Sequence, residues 1–190
     1  MSNMDQIFEH RLDRTLFTHT ELFSIAETAL ERGREHSNRS EYVTALVMAA
    51  FSFEAYLNFV GENKFSFWND VDRIPVRNKL NLICKNVDLQ PDFSRRPYQS
   101  LIELWRFRNF LAHARTETLE VIQDGPPSEA PEYPETEWER QCTLKTAARL
   151  VKDVRIVSRD LHERTGMTVG VLGQIAVQGG EILRKRRPDE

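Results

Sequence analysis

The sequence predicts an all-α fold, a helical bundle of about five main helices forming a single domain over residues 1–190. Three observations support this prediction. Apolar residues recur every three or four positions in several segments, one segment is apolar on nearly every side, and Pro or Gly residues mark several segment ends. A bundle of this kind buries its most apolar helix at the centre.

Each predicted helix has a local justification. The first, residues 5–36, carries the helical apolar repeat and ends in the polar stretch 36–40. The second, residues 41–64, is apolar almost all round and is the predicted central helix. The third, residues 75–87, begins at Pro75, a favoured residue of the first helical turn. The fourth and fifth cover residues 98–114 and 138–164, and a C-terminal appendage with a basic tail occupies residues 166–190.

The charges are unevenly distributed. The chain has 26 Lys and Arg against 29 Asp and Glu, a formal net charge of -3. Eight of those acids lie in residues 116–139, which contain four prolines and no Lys or Arg. The remainder therefore carries 21 acids against 26 bases, and the overall acidity does not argue against a nucleic-acid partner. We expect residues 116–139 to form an irregular acidic loop, either a shield over a basic site or a plain solvated insertion.

Several functional classes find no support in the sequence. The longest uninterrupted apolar run is residues 45–51, far short of the roughly 20 residues of a membrane span. Cys84 and Cys142 lack the spacing of a zinc site, and no HExxH, P-loop or dinucleotide-binding pattern occurs. No secretory signal is visible at the N-terminus. We therefore expect a cytoplasmic protein without a metal, a cofactor or a membrane partner.

The fourth predicted helix contains the candidate site. Arg108 falls in the middle of an apolar arc, where a guanidinium needs a carboxylate, a bound phosphate or a subunit boundary. Arg106, Asn109 and His113 follow one another at steps of three and four, so they are predicted to form one polar patch. Imidazole can exchange a proton near neutral pH, and a guanidinium suits phosphate oxygens. Because RNA supplies its own nucleophile, the ribose 2′-hydroxyl, such a site can cleave RNA without a metal.

At these residues the sequence resembles the HEPN superfamily. The family motif is an Arg, a polar residue that is often Asn, a few further residues and then His, near the end of a late helix. Residues 108–113 fit this motif, and residues 50–58 resemble the family's core helix. The same Arg-to-His spacing also occurs at Arg14 and His19, and a longer spacing at Arg155 and His162 and at Arg106 and His113. Asn109 and the position of Arg108 within the apolar arc favour residues 108–113.

The resemblance implies a homodimer in which two motif helices form one composite RNA-cleaving site. It implies a metal-independent endoribonuclease, of a kind often found as a toxin or antiviral effector, that produces a 2′,3′-cyclic phosphate and a 5′-hydroxyl. By analogy, His113 would be the general acid or base, Arg108 would hold the scissile phosphate and Asn109 would orient either of them. We assign RNA phosphate binding to Arg106 and Arg115 and a supporting role to Glu54.

Other interpretations are open at this point. His113 can serve only as a favourable charge at a helix C-terminus, and Arg108 can be a structural ion pair with Glu54. The chain would then be a non-catalytic dimerisation or RNA-binding module. A third possibility is a subunit regulated by a partner such as an antitoxin. One toxin subset of the family carries Tyr two residues after the His as a site of control, and this chain has Arg115 there.

Overall fold

The computed structural model describes residues 7–71, 73–122 and 133–186. This part of the chain is mostly helical, with a small two-stranded sheet. Its elements, in chain order, are β1 (Ile7–Leu16), α1 (Thr18–His36), α2 (Arg39–Lys64), α3 (Trp68–Val71), α4 (Val76–Asn86), α5 (Tyr98–His113), α6 (Glu137–Gln141), α7 (Leu144–Thr165) and β2 (Ala176–Arg186).

Helix α2 is the centre of the bundle, as its all-round apolarity predicts. It packs against α1, α4, α5 and α7, and α3 lies against its C-terminal end. Leu46, Phe53 and Leu57 on α2 have no exposed surface. Gly61 is required by the close approach of Trp68, since a Cβ atom at position 61 would lie 2.1 Å from the indole ring. The core therefore fixes α5 and α4 against the same central helix.

Helix α2 is also the one described helix that is long and apolar enough to cross a membrane by length and composition. Its most apolar window has a mean hydropathy of 1.5, and half of that window is buried inside the protein. Buried core helices of soluble proteins give the same signal, so the observation is weak support for a membrane span.

The predicted all-α fold is confirmed for most of the described chain, but the two ends of that part form strands. Residues 7–16, predicted as the start of the first helix, form β1, which pairs antiparallel with β2. Strand β2 occupies residues 176–186 of the appendage, including the backbone of Arg184, Lys185 and Arg186, whereas Arg187 of the predicted basic tail lies outside the described residues. The apolar side chains of Phe8, Leu12 and Leu16 stay exposed on this ribbon. Backbone pairing rather than burial therefore accounts for β1.

The acidic segment differs from the predicted loop at its C-terminal end. Residues 116–122 and 133–136 have no regular structure, and residues 123–132 lie outside the described part. Helix α6 begins inside the segment, stabilised by a capping box in which the side chains of Thr136 and Glu139 each accept the other's backbone N–H. The predicted helix 138–164 is consequently two helices, and Thr143 caps the second by accepting the N–H of Thr146.

An ion pair between half-exposed Arg96 and buried Asp153 fixes the N-terminal end of α5 to α7. Asp153 on α7 is 1 % exposed and accepts two hydrogen bonds from Arg96, at 2.7 and 2.8 Å, and one from the Ser100 hydroxyl at 2.5 Å. Burial alone would raise the pKa of Asp153, but the hydrogen bonds from Arg96 and Ser100 outweigh it and hold the pKa below its usual range. Arg149 adds bonds to Ser100 and to Glu103 on α5. The helix that carries the motif is therefore anchored at its start.

Candidate functional site

Helix α5 presents the motif residues at its C-terminal end. Leu101, Leu104 and Phe107 are buried against the core, which turns the opposite face of the helix outward. Arg108 is partly buried, whereas Asn109 and His113 are exposed. His113 is the last residue of α5, and within the described part of the chain it makes no hydrogen bond or ion pair. Its imidazole is therefore accessible to a ligand from solvent.

Arg108 is held in place by its neighbours. Its Nη2 donates to Oε2 of Glu54 in a close ion pair, and its Nη1 donates to Oδ1 of Asn109 at 2.9 Å. The guanidinium carbon also lies 5.7 Å from the centre of the Phe51 ring. The ion pair with Glu54, foreseen as the structural explanation of Arg108, is present. A pair of this kind also fixes the orientation of the guanidinium for a ligand.

Lys79 belongs to the same cluster and was missed from the sequence. Its side chain is 3 % exposed, and its Nζ lies 3.5 Å from Oε1 of Glu54 and 2.8 Å from Oδ1 of Asn58. Glu54 thus lies between two cations, so the cluster retains a positive charge. A signal was available: Lys79 follows Val76 by three positions and precedes Ile83 by four, which places it on the apolar face of α4.

A cavity of about 310 Å³ opens beside this cluster. Three arginines line it against a single carboxylate. Arg73 precedes α4, Arg77 lies in the first turn of α4, and Arg108 lies on α5. The carboxylate is Glu54. Arg73 and Arg77 are exposed, and the Arg77 guanidinium stacks 4.6 Å from the centre of the Phe93 ring. The cavity therefore favours an anionic ligand.

The histidines of two competing Arg-to-His spacings, His19 and His162, are buried. His19 is 2 % exposed, and its Nε2 lies 2.6 Å from the carbonyl oxygen of Gly170. His162 is 7 % exposed. Burial lowers the pKa of both imidazoles, which keeps them neutral in the fold. Of the three histidines that these spacings allow, His113 is the accessible one.

The predicted patch of Arg106, Asn109 and His113 is divided between two surfaces. All three side chains are exposed, but Arg106 lines a second cavity of about 520 Å³ between α5 and α6, whereas Asn109 lines the cavity with the three arginines. Arg115, just beyond α5, is exposed and makes no ion pair within the described residues. The structure therefore brings Arg108, Asn109 and Glu54 together. His113 lies one helical turn beyond Asn109 and lines neither of these two cavities, and Arg106 and Arg115 do not join the cluster.

Two of the described acids of the segment 116–139 form ion pairs away from Arg108. Glu135 and Glu139 form ion pairs with Arg39 at the start of α2. Glu137 lines the second cavity together with Arg106. Residues 123–132 lie outside the described part, so the shielding interpretation of this segment stays a prediction.

Neither cysteine suits nucleophilic chemistry. Burial raises the pKa of Cys84 and of Cys142 to about 11, so the thiolate is scarce at neutral pH. In residues 7–71, 73–122 and 133–186, no three His, Cys, Asp or Glu side chains are grouped as ligands of a metal ion.

Comparison with known proteins does not assign the chain to a family. No protein-family model matches the sequence, and neither a curated protein nor a solved structure matches it.

Proposed function

We propose that this protein is a metal-independent endoribonuclease of the HEPN type, acting through Arg108, Asn109 and His113. One observation carries the proposal: His113, exposed and without a partner among the described residues, lies on the same helix end as an arginine whose guanidinium Glu54 and Asn109 hold in a fixed orientation. A proton-transfer group and an oriented phosphate binder are the two functions that RNA cleavage through the 2′-hydroxyl requires.

The proposed reaction is an internal transesterification. The ribose 2′-oxygen forms a bond to the adjacent phosphorus, and the bond from phosphorus to the 5′-oxygen of the next nucleotide breaks. A neutral His113 imidazole accepts the 2′-hydroxyl proton, and a protonated imidazole donates a proton to the departing 5′-oxygen. Arg108 stabilises the charge that grows on the phosphate oxygens. The products carry a 2′,3′-cyclic phosphate and a 5′-hydroxyl.

A second copy of the chain completes the proposed site. One imidazole cannot be base and acid at the same moment, whereas two copies of His113 in one cleft can divide these roles. Exposed apolar side chains beside the motif support such an interface, since Phe51 and Phe110 are each 41 % exposed. A homodimer joined through this surface would cover them.

The test is cleavage of a random-sequence RNA pool by the purified protein in excess EDTA. We expect cleavage, products with 2′,3′-cyclic phosphate ends, and a dimer by light scattering of the same sample. RNA binding without any cleavage would contradict the proposal and favour the non-catalytic RNA-binding module. Cleavage by a protein that stays monomeric would contradict the composite site.

A further inference from the structure

Two residues that line the arginine cavity each carry a buried hydrogen-bond donor for which the described structure shows no partner. The Nε of Arg108 and the indole Nε1 of Trp105 are buried, and neither has a hydrogen-bond partner in the described structure. Trp105 itself is 8 % exposed. Buried N–H groups are rarely left unpaired in folded proteins, because the loss of hydration is costly. Both N–H groups can only donate a hydrogen bond, so a group that pairs with either of them is an acceptor.

The helix that borders the cavity adds to its positive character. Pro75, Val76 and Arg77 line the cavity and form the N-terminal end of α4, an 11-residue helix. That end has no side-chain cap and no acidic residue in its first turn. The free N–H groups and the helix dipole at such an end favour a negative charge. Arg73, Arg77 and Arg108 surround the same space. The three arginines and the end of the helix all favour an anion there.

We infer that this cavity binds a phosphate group through Arg73, Arg77 and the N-terminus of α4, beside Arg108. The planar guanidinium groups match phosphate oxygens, and a volume of about 310 Å³ accommodates the group together with part of an attached sugar. Because the proposed reaction assigns Arg108 to the scissile phosphate, the group held by Arg73 and Arg77 is a neighbouring phosphate of the same strand.

The source of this phosphate is the backbone of the RNA substrate, an assignment that rests on the proposed function. The phosphate site itself does not rest on it, because its argument uses only the cavity, its charges and its orphan donors. Arg73 and Arg77 are thus assigned to substrate binding, a role that no feature of the motif at residues 108–113 indicates.

The test is calorimetric titration of the full chain with inorganic phosphate. The variant Arg73→Gln/Arg77→Gln removes two exposed cationic side chains of the cavity and keeps their polarity. The control Arg32→Gln/Arg159→Gln removes the same charge from exposed positions on α1 and α7 that do not line the cavity. We expect the cavity variant to bind phosphate roughly tenfold more weakly and the control to bind within about twofold of the original protein. Thermal unfolding without phosphate checks that all three proteins are folded.

Two results would overturn the phosphate site: no phosphate binding by the original protein, or equal binding by the cavity variant. The source is tested separately with a five-nucleotide RNA and the His113→Asn protein, which prevents cleavage. We expect the RNA to compete with inorganic phosphate and to bind more weakly to the cavity variant. Absence of competition would show that free phosphate is the ligand and would overturn the RNA assignment. Failure of cleavage in EDTA with intact phosphate binding would overturn only the proposed function.

Discussion

Replacing His113 with asparagine is expected to slow RNA cleavage by roughly 10²- to 10⁴-fold, the usual contribution of a positioned acid or base. Asparagine keeps a polar side chain of similar size but cannot exchange a proton near neutral pH. Because His113 is exposed and unpartnered within the described residues, the substitution should leave the free energy of unfolding nearly unchanged. Initial rates in EDTA measure the cleavage activity, and urea unfolding of the same preparation measures the free energy of unfolding.

The matched control is His36→Asn. His36 is also an exposed histidine at the last residue of its helix, α1, so it shares the favourable position near the helix dipole. We expect His36→Asn to cleave RNA at the original rate. If His113→Asn cleaved within about threefold of the original protein, His113 would be a helix-end charge and not a catalytic residue.

Replacing Asp153 with alanine is expected to lower the free energy of unfolding by about 2 to 3 kcal/mol. The substitution removes the acceptor of two Arg96 hydrogen bonds and one from Ser100, and Ser100 is buried. Arg96 is half exposed, so it can turn to water, which keeps the expected cost below that of a fully buried ion pair. Urea unfolding followed by circular dichroism gives the value.

Glu163→Ala is the control for this change. Glu163 lies on the same helix, α7, and is exposed, so its loss should change the free energy of unfolding by less than about 0.5 kcal/mol. Equal unfolding curves for Asp153→Ala and the original protein would contradict the role of Asp153 in anchoring α5.

Most helices are predictable because the information that defines them is local. The apolar repeat and Pro75 locate α4, and the all-round apolarity of α2 predicts its central position. The start of α6 was also readable from the sequence, since Thr136 and Glu139 have the spacing of a capping box. Strand β1 was not readable, because its partner strand lies at the other end of the described chain and Leu12 and Leu16 have a helical spacing.

The candidate site was predictable to the extent that it lies on one helix. Arg108 was identified because a charge in an apolar arc needs a partner, and Glu54 is that partner. Lys79 gives the same signal on α4. Arg73 and Arg77 follow no pattern of their own, since they join the site only where the N-terminal end of α4 and α5 line the same cavity. Contacts between elements distant in sequence leave no local periodicity to read.

The most direct test of the central claim uses an RNA in which one cleaved bond has been mapped. A single 2′-deoxy substitution is placed on the nucleotide that precedes this bond or, as the control, on the nucleotide that follows it. In EDTA, we expect the first substitution to abolish cleavage of the bond and the second to leave it intact, because the preceding ribose supplies the nucleophile. Cleavage that persists after the first substitution, or that requires added Mg²⁺, would contradict a metal-independent ribonuclease acting through Arg108, Asn109 and His113.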